Sequence, residues 1–285
     1  ALSFLLPSAL FLVIGSVLFF ITFATARETV VRDVPKVSLK QTIQTVTKNK
    51  PLARLCTSSL FYLTGQNIVS ALGIYIAIDI LGRYSTGNWL ATVITIITTG
   101  AVLYVGPFGP VVTRRLGKKR GFILAAGGAI AGSLLFLVSG NLLFGLLGLF
   151  FVGVGMALLN TMTWALEADT VEYGEYQTGI RTEGATYAAF SFTRKVGQAL
   201  GAAIAGYALA WAGYNGALKG TGASQDGAVI DRMQQAAGVL PAICFLIALL
   251  VMATYPLTEA RFKEIVHGIQ ENRARRRAQR TTDEA

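Results

Sequence analysis

The stretch AAFSFTRKVGQALGAAIAGYALAW places Arg194 and Lys195 side by side in an otherwise apolar run that has no acid. Two cations there suit an anionic solute, Arg194 as a planar fork and Lys195 as a movable point charge. At about 100° per residue, Arg194, Tyr187, Gln198, Ser191 and Lys195 fall within an arc of about 100° of one helix. Phe192, Val196, Leu200 and Ile204 lie on the other side. Upstream, Asn160, Thr163, Trp164 and Glu167 share a second face by i, i+3, i+4 and i+7 spacing. Amide, hydroxyl and indole groups suit a hydroxylated small molecule. Hydrogen bonding between helices, with an interfacial tryptophan, explains the same spacing equally well.

The elements that hold these residues must be membrane helices. Hydrophobic residues make up 53% of the chain and charged residues only 14%, against about 25% charged in globular proteins. A bilayer core takes about 20 apolar residues as a helix. Uncharged runs of that length predict seven spans near 2–26, 55–81, 89–113, 121–139, 142–166, 184–211 and 237–257. The fold class is therefore an all-α polytopic membrane protein. Counted from Gly184, Lys195 lies roughly 16 Å along its helix at 1.5 Å per residue, near the bilayer midplane. A midplane charge costs about 2.5–3.5 kcal/mol even on the lenient scale, so the pair calls for a purpose. A structural ion pair is the plainer alternative. No acid of this chain is expected at that depth, since Asp79 falls near one end of its span and Glu167 and Asp169 near the other. The anionic partner is then another segment, a solute, or each in turn.

The net charge is +10 and the pI about 9.8, but position argues against a nucleic-acid partner. Basic residues fill alternate segments, with seven Lys/Arg in 27–54, five in 114–120 and seven from 259 onward. The segments 82–88, 140–141 and 212–236 hold one, none and two. Such asymmetry predicts a cytoplasmic tail, with its RARRRAQR attracted to lipid headgroups. Within the tail, Phe262, Ile265, Val266 and Ile269 have helical spacing, which predicts an amphipathic helix on the membrane surface. Segment 167–183 is the exception, an acidic loop on the basic side. Gly140–Asn141 joins two spans so tightly that they must form a hairpin. Gly128/Gly132, Gly197/Gly201 and Gly201/Ala205 have the spacing of close helix contacts.

No catalytic chemistry is indicated. GVGMAL at 153–158 lacks the third glycine and preceding strand of a dinucleotide fingerprint. Cys56 and Cys244 form no CxxC, and the lone His267 falls in the tail. No cofactor and no metal site are expected. The chain starts with Ala and enters a span at once, which is read here as a fragment.

At WALEADTVEYGEYQTGIRTEG the sequence becomes specific. It resembles the loop between helices ten and eleven of the glycoside–pentoside–hexuronide:cation symporters, within the major facilitator superfamily. Asp169-x-Val-Glu-Tyr-Gly-Glu-Tyr176 is the core of the likeness, and the wording from Trp164 to Lys195 is most similar to bacterial glucuronide carriers. ARETVVRDVPKVSLKQT and YPLTEARFKEI agree with it, so the resemblance covers the whole chain. It implies helices six to twelve of a twelve-helix transporter. On that layout, 1–26 is the last helix of the first half and 27–54 the central cytoplasmic loop. Residues 55–258 are a complete C-terminal six-helix half, and 259–285 the basic cytoplasmic tail. It further implies a bacterial inner-membrane carrier that moves glycosides, foremost glucuronides, by alternating access with a proton or sodium ion. The main cation site would lie in the first half, and Lys195 would stand close to the sugar and cation sites. The partners are then a small-molecule glycoside, the coupling cation and the lipid bilayer.

RRLGKKR at 114–120 resembles the superfamily's loop motif, but Arg114 stands where an acid is usual. Asp169, Glu172 and Glu175 are expected to meet Arg114, Lys118 and their basic neighbours as a gate of exposed ion pairs. Two other readings stand beside this one. One is a carrier of neutral glycosides or pentosides, with Lys195 paired to aspartates elsewhere. The other is a seven-helix receptor or retinal protein with Lys195 as the Schiff-base lysine.

Overall fold

The computed structural model describes residues 2–26, 39–85, 89–218 and 224–283. Residues 27–38 of the expected central loop lie outside that range. So do the side chains of the tail's RARRRAQR. Among the described residues there is no strand. The chain divides into two compact units, Ala1–Val37 and Ser38–Ala285. The first holds α1 (Leu2–Thr25), an apolar helix that exposes Phe11, Phe19, Phe20 and Phe23.

The second unit opens with α2 (Leu39–Lys48), inside the segment expected to be loop, and α3 (Lys50–Tyr75). The α3 start precedes the expected one because Asn49 Oδ1 accepts from Leu52 N at 3.0 Å and Pro51 occupies the first turn. Both are helix-start signals that outweigh the nearby Lys50 and Arg54. A π turn (Ile76–Ile80) and a 3-10 turn (Gly82–Tyr84) extend α3.

The expected span 89–113 is broken into α4 (Trp89–Thr98), α5 (Ala101–Val105) and α6 (Gly109–Leu116). Thr95 O accepts from both Thr99 N and Gly100 N at 3.0 and 2.9 Å. The path bends by 41° there, between Trp89–Thr98 and Ala101–Leu116, and Pro107 and Pro110 further on remove two backbone donors.

α7 (Lys118–Leu137) and α8 (Leu142–Thr178) form the expected hairpin. Their backbones nearly touch, since a Cβ on Gly132 would stand 2.6 Å from Gly148 O. Gly128 has nothing within 4 Å and takes no part, contrary to expectation. α8 runs 37 residues to a left-handed Gly179 at φ 69°. At 1.5 Å per residue it is about 55 Å long, against a hydrocarbon core of about 30 Å. The acidic segment is thus not a loop: through Thr178 it continues a helix longer than a bilayer core requires. Its glutamates are good helix formers, and the stop comes only at the glycine.

α9 (Glu183–Ala212) lies against α3, where Cβ atoms on Gly197 and Gly201 would stand 2.9 Å from Leu60 O and 2.6 Å from Thr64 O. α10 (Gly227–Ala253) starts ten residues before the expected 237, capped by Asp226. Its charged first turns are tolerated because Asp231 pairs with Arg83 at 2.8 Å. Gln234 is buried there, donating to Phe136 O and Ser139 O at 3.0 Å each.

Among the described residues five helices are long and apolar enough to cross a membrane, and the bent α4–α6 path, taken as one span, makes a sixth. The seventh expected span, α9, has 30 residues but is not apolar enough, because its polar stripe and small residues dilute it. α11 (Glu259–Asp283) is helical as expected, but its apolar face is not left to lipid. Ile265 and Ile269 are 1% and 7% exposed, in one core with Leu166 and Leu257. A packed partner, the protruding end of α8, was there to receive that face. The side of the body bearing α11 is called the tail side below.

Candidate functional site

α8 and α9 bring three of the expected residues into one stack. The Trp164 ring has the Arg194 guanidinium 4.7 Å from its centroid. Tyr187 stacks on the same indole at 6.4 Å with 23° between planes. Phe190 meets it edge-on at 5.8 Å. The sequence folds this way because Gly197 and Gly201 seat α9 against α3, and Tyr187, Phe190 and Arg194 then recur at helical spacing on the side towards α8. A cation over an indole is held by the ring quadrupole, an attraction that strengthens as water is removed.

Arg194 has donors to spare. Its Nη1 is buried and has no hydrogen-bond partner. Lys195 points elsewhere: it is exposed, and among the described residues its Nζ reaches only Gln198 Oε1, at 3.5 Å. The two adjacent cations therefore do not share one pocket within this unit. Asn160 and Ser191 are half-buried and make no side-chain hydrogen bond among the described residues. Thr163 is fully buried and donates to Leu159 O at 2.7 Å, a structural bond.

α3 contributes residues that charge and hydropathy did not flag. Ser59 Oγ, Tyr62 OH and Gln66 Oε1 are buried without partners. Tyr62 lies beside Thr163 and within electrostatic reach of Arg194. Their i, i+3, i+7 spacing was the available signal, a polar stripe without a charge.

The tail side carries the second cluster. Lys118 Nζ meets Asp169 Oδ1 at 2.5 Å, and the Asp169 side chain is only 7% exposed. This one member of the expected gate is formed, and it is buried rather than surface-screened. Glu175 instead pairs with Arg181 at 3.0 Å, within the turn after α8. Glu172 Oε2 is buried without a partner. Arg114 is exposed and makes no ion pair among the described residues. Because α8 stays helical, Asp169, Glu172 and Glu175 stand at successive turns along one face, about 4.5 Å apart on the axis, so the acids lie at different heights instead of meeting one basic segment together. The acid missing at Arg114 has a substitute. Glu259 Oε1 accepts from Lys118 N at 2.9 Å and caps α7 from 141 residues away. Lys119 Nζ donates to Tyr255 O at 2.8 Å at the end of α10.

The helical body thus carries an unsatisfied cation in an aromatic stack on one face and an ion pair on the tail side. The chain belongs to the family described as MFS/sugar transport protein, whose model matches residues 2–259. It is 39% identical over 254 residues to the glucuronide carrier protein homolog of Escherichia coli, covering 88% of this chain and 54% of that protein. A putative 2,3-dihydroxypropane-1-sulfonate exporter of Salmonella typhimurium is 30% identical over 285 residues, covering 94% and 58%. The uncharacterized symporter YjmB of Bacillus subtilis is 28% identical over 268 residues, covering 92% and 56%. The chain thus spans little more than half the length of these curated relatives. It belongs among carriers and transporters, not enzymes, and the seven-helix receptor or retinal reading falls.

Proposed function

We propose that this chain acts in a secondary active transporter that carries hydroxylated organic anions, glucuronides first among them, by symport with a proton or sodium ion. The observation that carries the reading is Arg194, a half-buried side chain whose buried Nη1 is an unused donor, braced on Trp164. A buried donor without an acceptor is costly, and a ligand carboxylate removes that cost. Two relatives support the same chemistry through their names, since a glucuronide and a dihydroxypropane sulfonate each join hydroxyls to an acid group. In this reading Trp164 and Tyr187 pack on the sugar ring. Asn160, Ser191 and Gln198 address its hydroxyls, and exposed Lys195 supplies field or pairs with an acid of another segment. The Lys118–Asp169 clasp holds the tail side closed in one conformation and parts in the other. The tail side is cytoplasmic, and the membrane is the bacterial inner membrane.

The test is competition for uptake between a glucuronide and the matching glucoside. Losing a charged hydrogen bond costs about 1.5–3 kcal/mol, or about ten- to more than a hundredfold in affinity. Arg194→Gln should weaken the glucuronide by about that factor, while the neutral glucoside loses much less. Equal losses for both sugars would sink carboxylate recognition and favour the carrier of neutral glycosides.

A further inference from the structure

On the side of the second unit away from the tail, α9 and α10 diverge around an apolar cavity of about 440 Å³. Ile204, Tyr207 and Trp211 line it from α9, and Gln235, Ala236 and Val239 from α10. Tyr207 and Trp211 are 78% and 62% exposed, so the groove is open along its length. One turn beyond Gln235 and Ala236, on the same stripe of α10, stands Arg232. Its Nη2 reaches over the end of α9, 3.7 Å from the point a Cβ on Gly213 would occupy.

Arg232 makes no hydrogen bond to the helix end it covers. Of the last carbonyls of α9, Ala210 O accepts from Gly213 N at 3.1 Å and Leu209 O from Tyr214 N at 3.0 Å. The adjacent acid is also taken, since Asp231 pairs with Arg83. Arg232 is exposed and makes no hydrogen bond or ion pair among the described residues. An apolar cleft between two helices, an exposed Trp at its end and an uncommitted guanidinium one turn beyond form a graded surface. Its polarity changes in the order of a lipid: hydrocarbon, interface, phosphate.

We propose that this groove is a phospholipid site, with an acyl chain between α9 and α10 and the phosphate of an anionic headgroup on Arg232. An anionic lipid is favoured because phosphatidylcholine and phosphatidylethanolamine carry their own cation beside the phosphate, whereas phosphatidylglycerol leaves its charge to the arginine. The site does not depend on the transported solute, and it can hold whether or not the carboxylate reading does.

The experiment reconstitutes the protein in phosphatidylcholine vesicles containing trace phosphatidylglycerol or phosphatidylcholine with a photoactivatable acyl chain, and maps the labelled peptides. The expected result is labelling of 204–211 and 235–239, with phosphatidylglycerol favoured about tenfold. Arg232→Gln should abolish that preference and leave chain labelling by phosphatidylcholine in place. Gln235→Trp, which fills the groove from an exposed position, should cut labelling by both lipids about tenfold. Equal labelling by the two wild-type probes would overturn the proposal, as would a preference that survives in Arg232→Gln. A groove that takes no label from either lipid would show that another protein segment covers it.

Discussion

The decisive residues are those whose polar atoms the fold leaves unfinished. Arg194 keeps a buried, unused donor while Trp164 holds its plane, so geometry matters there as well as charge. Lysine cannot reproduce a planar fork stacked on an indole. Arg194→Lys should therefore recover little of the glucuronide affinity lost in Arg194→Gln, and near-complete recovery in the competition assay would show that charge alone suffices. Lys118–Asp169 presents the opposite case, a pair already satisfied and largely buried. Removing one partner of a buried pair leaves an uncompensated charge and costs about 3–5 kcal/mol. Asp169→Asn should lower the thermal midpoint clearly, and the double variant Asp169→Asn/Lys118→Met should regain part of the loss. Additive losses in that cycle would mean that the two groups are not coupled. The sequence made Arg194, Tyr187 and Trp164 legible, because each interrupts an apolar pattern at helical spacing. It did not separate Arg194 from Lys195, since which neighbour faces α8 depends on how the glycines of α9 seat on α3. Tyr62 stayed hidden because its hydroxyl hardly alters the apolar character of its helix.

For the elements, close contact between backbones decides more than propensity does. Gly132 and Gly128 look alike in the sequence, yet only Gly132 lies against α8. Gly132→Val should therefore disrupt the α7–α8 hairpin and reduce the yield of folded protein sharply. Gly128→Ala should be neutral or stabilising by up to about 1 kcal/mol, the usual helix gain over glycine. Similar thermal midpoints for the two variants in detergent would refute this packing. The long apolar helices were legible, whereas α2, the division of 89–113 into α4, α5 and α6, and most helix ends were not. Boundaries drawn where charge begins placed the C-terminal end of α8 and the start of α10 wrongly, because Asp169, Asp231 and Gln234 have partners that take up their polarity. The break between α4 and α6 had its own signal in Gly100 and the GPFGP run, which an apolar average smooths over.

At the level of the whole molecule, the distribution of Lys and Arg makes an orientation testable. A reporter fused after Ala285 should be cytoplasmic and one inserted at 218–225 external, and finding both on one side would overturn the span order. The tail has a structural part as well as a topological one. Glu259 caps α7, and Ile265 and Ile269 close the core against α8. Ending the chain at Thr258 should expose that apolar patch and speed amide exchange in the first turn of α7. Unchanged exchange would mean that the tail only rests on the surface.

α8 carries Trp164 and Asp169 on a single helix with no proline and no break. The two residues are five positions apart, about 7.5 Å along the axis. A rod that stiff transmits torque. Any rotation that reseats the indole against a solute must swing the carboxylate through the same angle, so clasp and stack are two readings of one dial. No relay of intervening side chains is required between them. Their coupling is set by the pitch of the helix, and replacing Leu166 and Glu167 by glycine would loosen it while keeping the register of both residues.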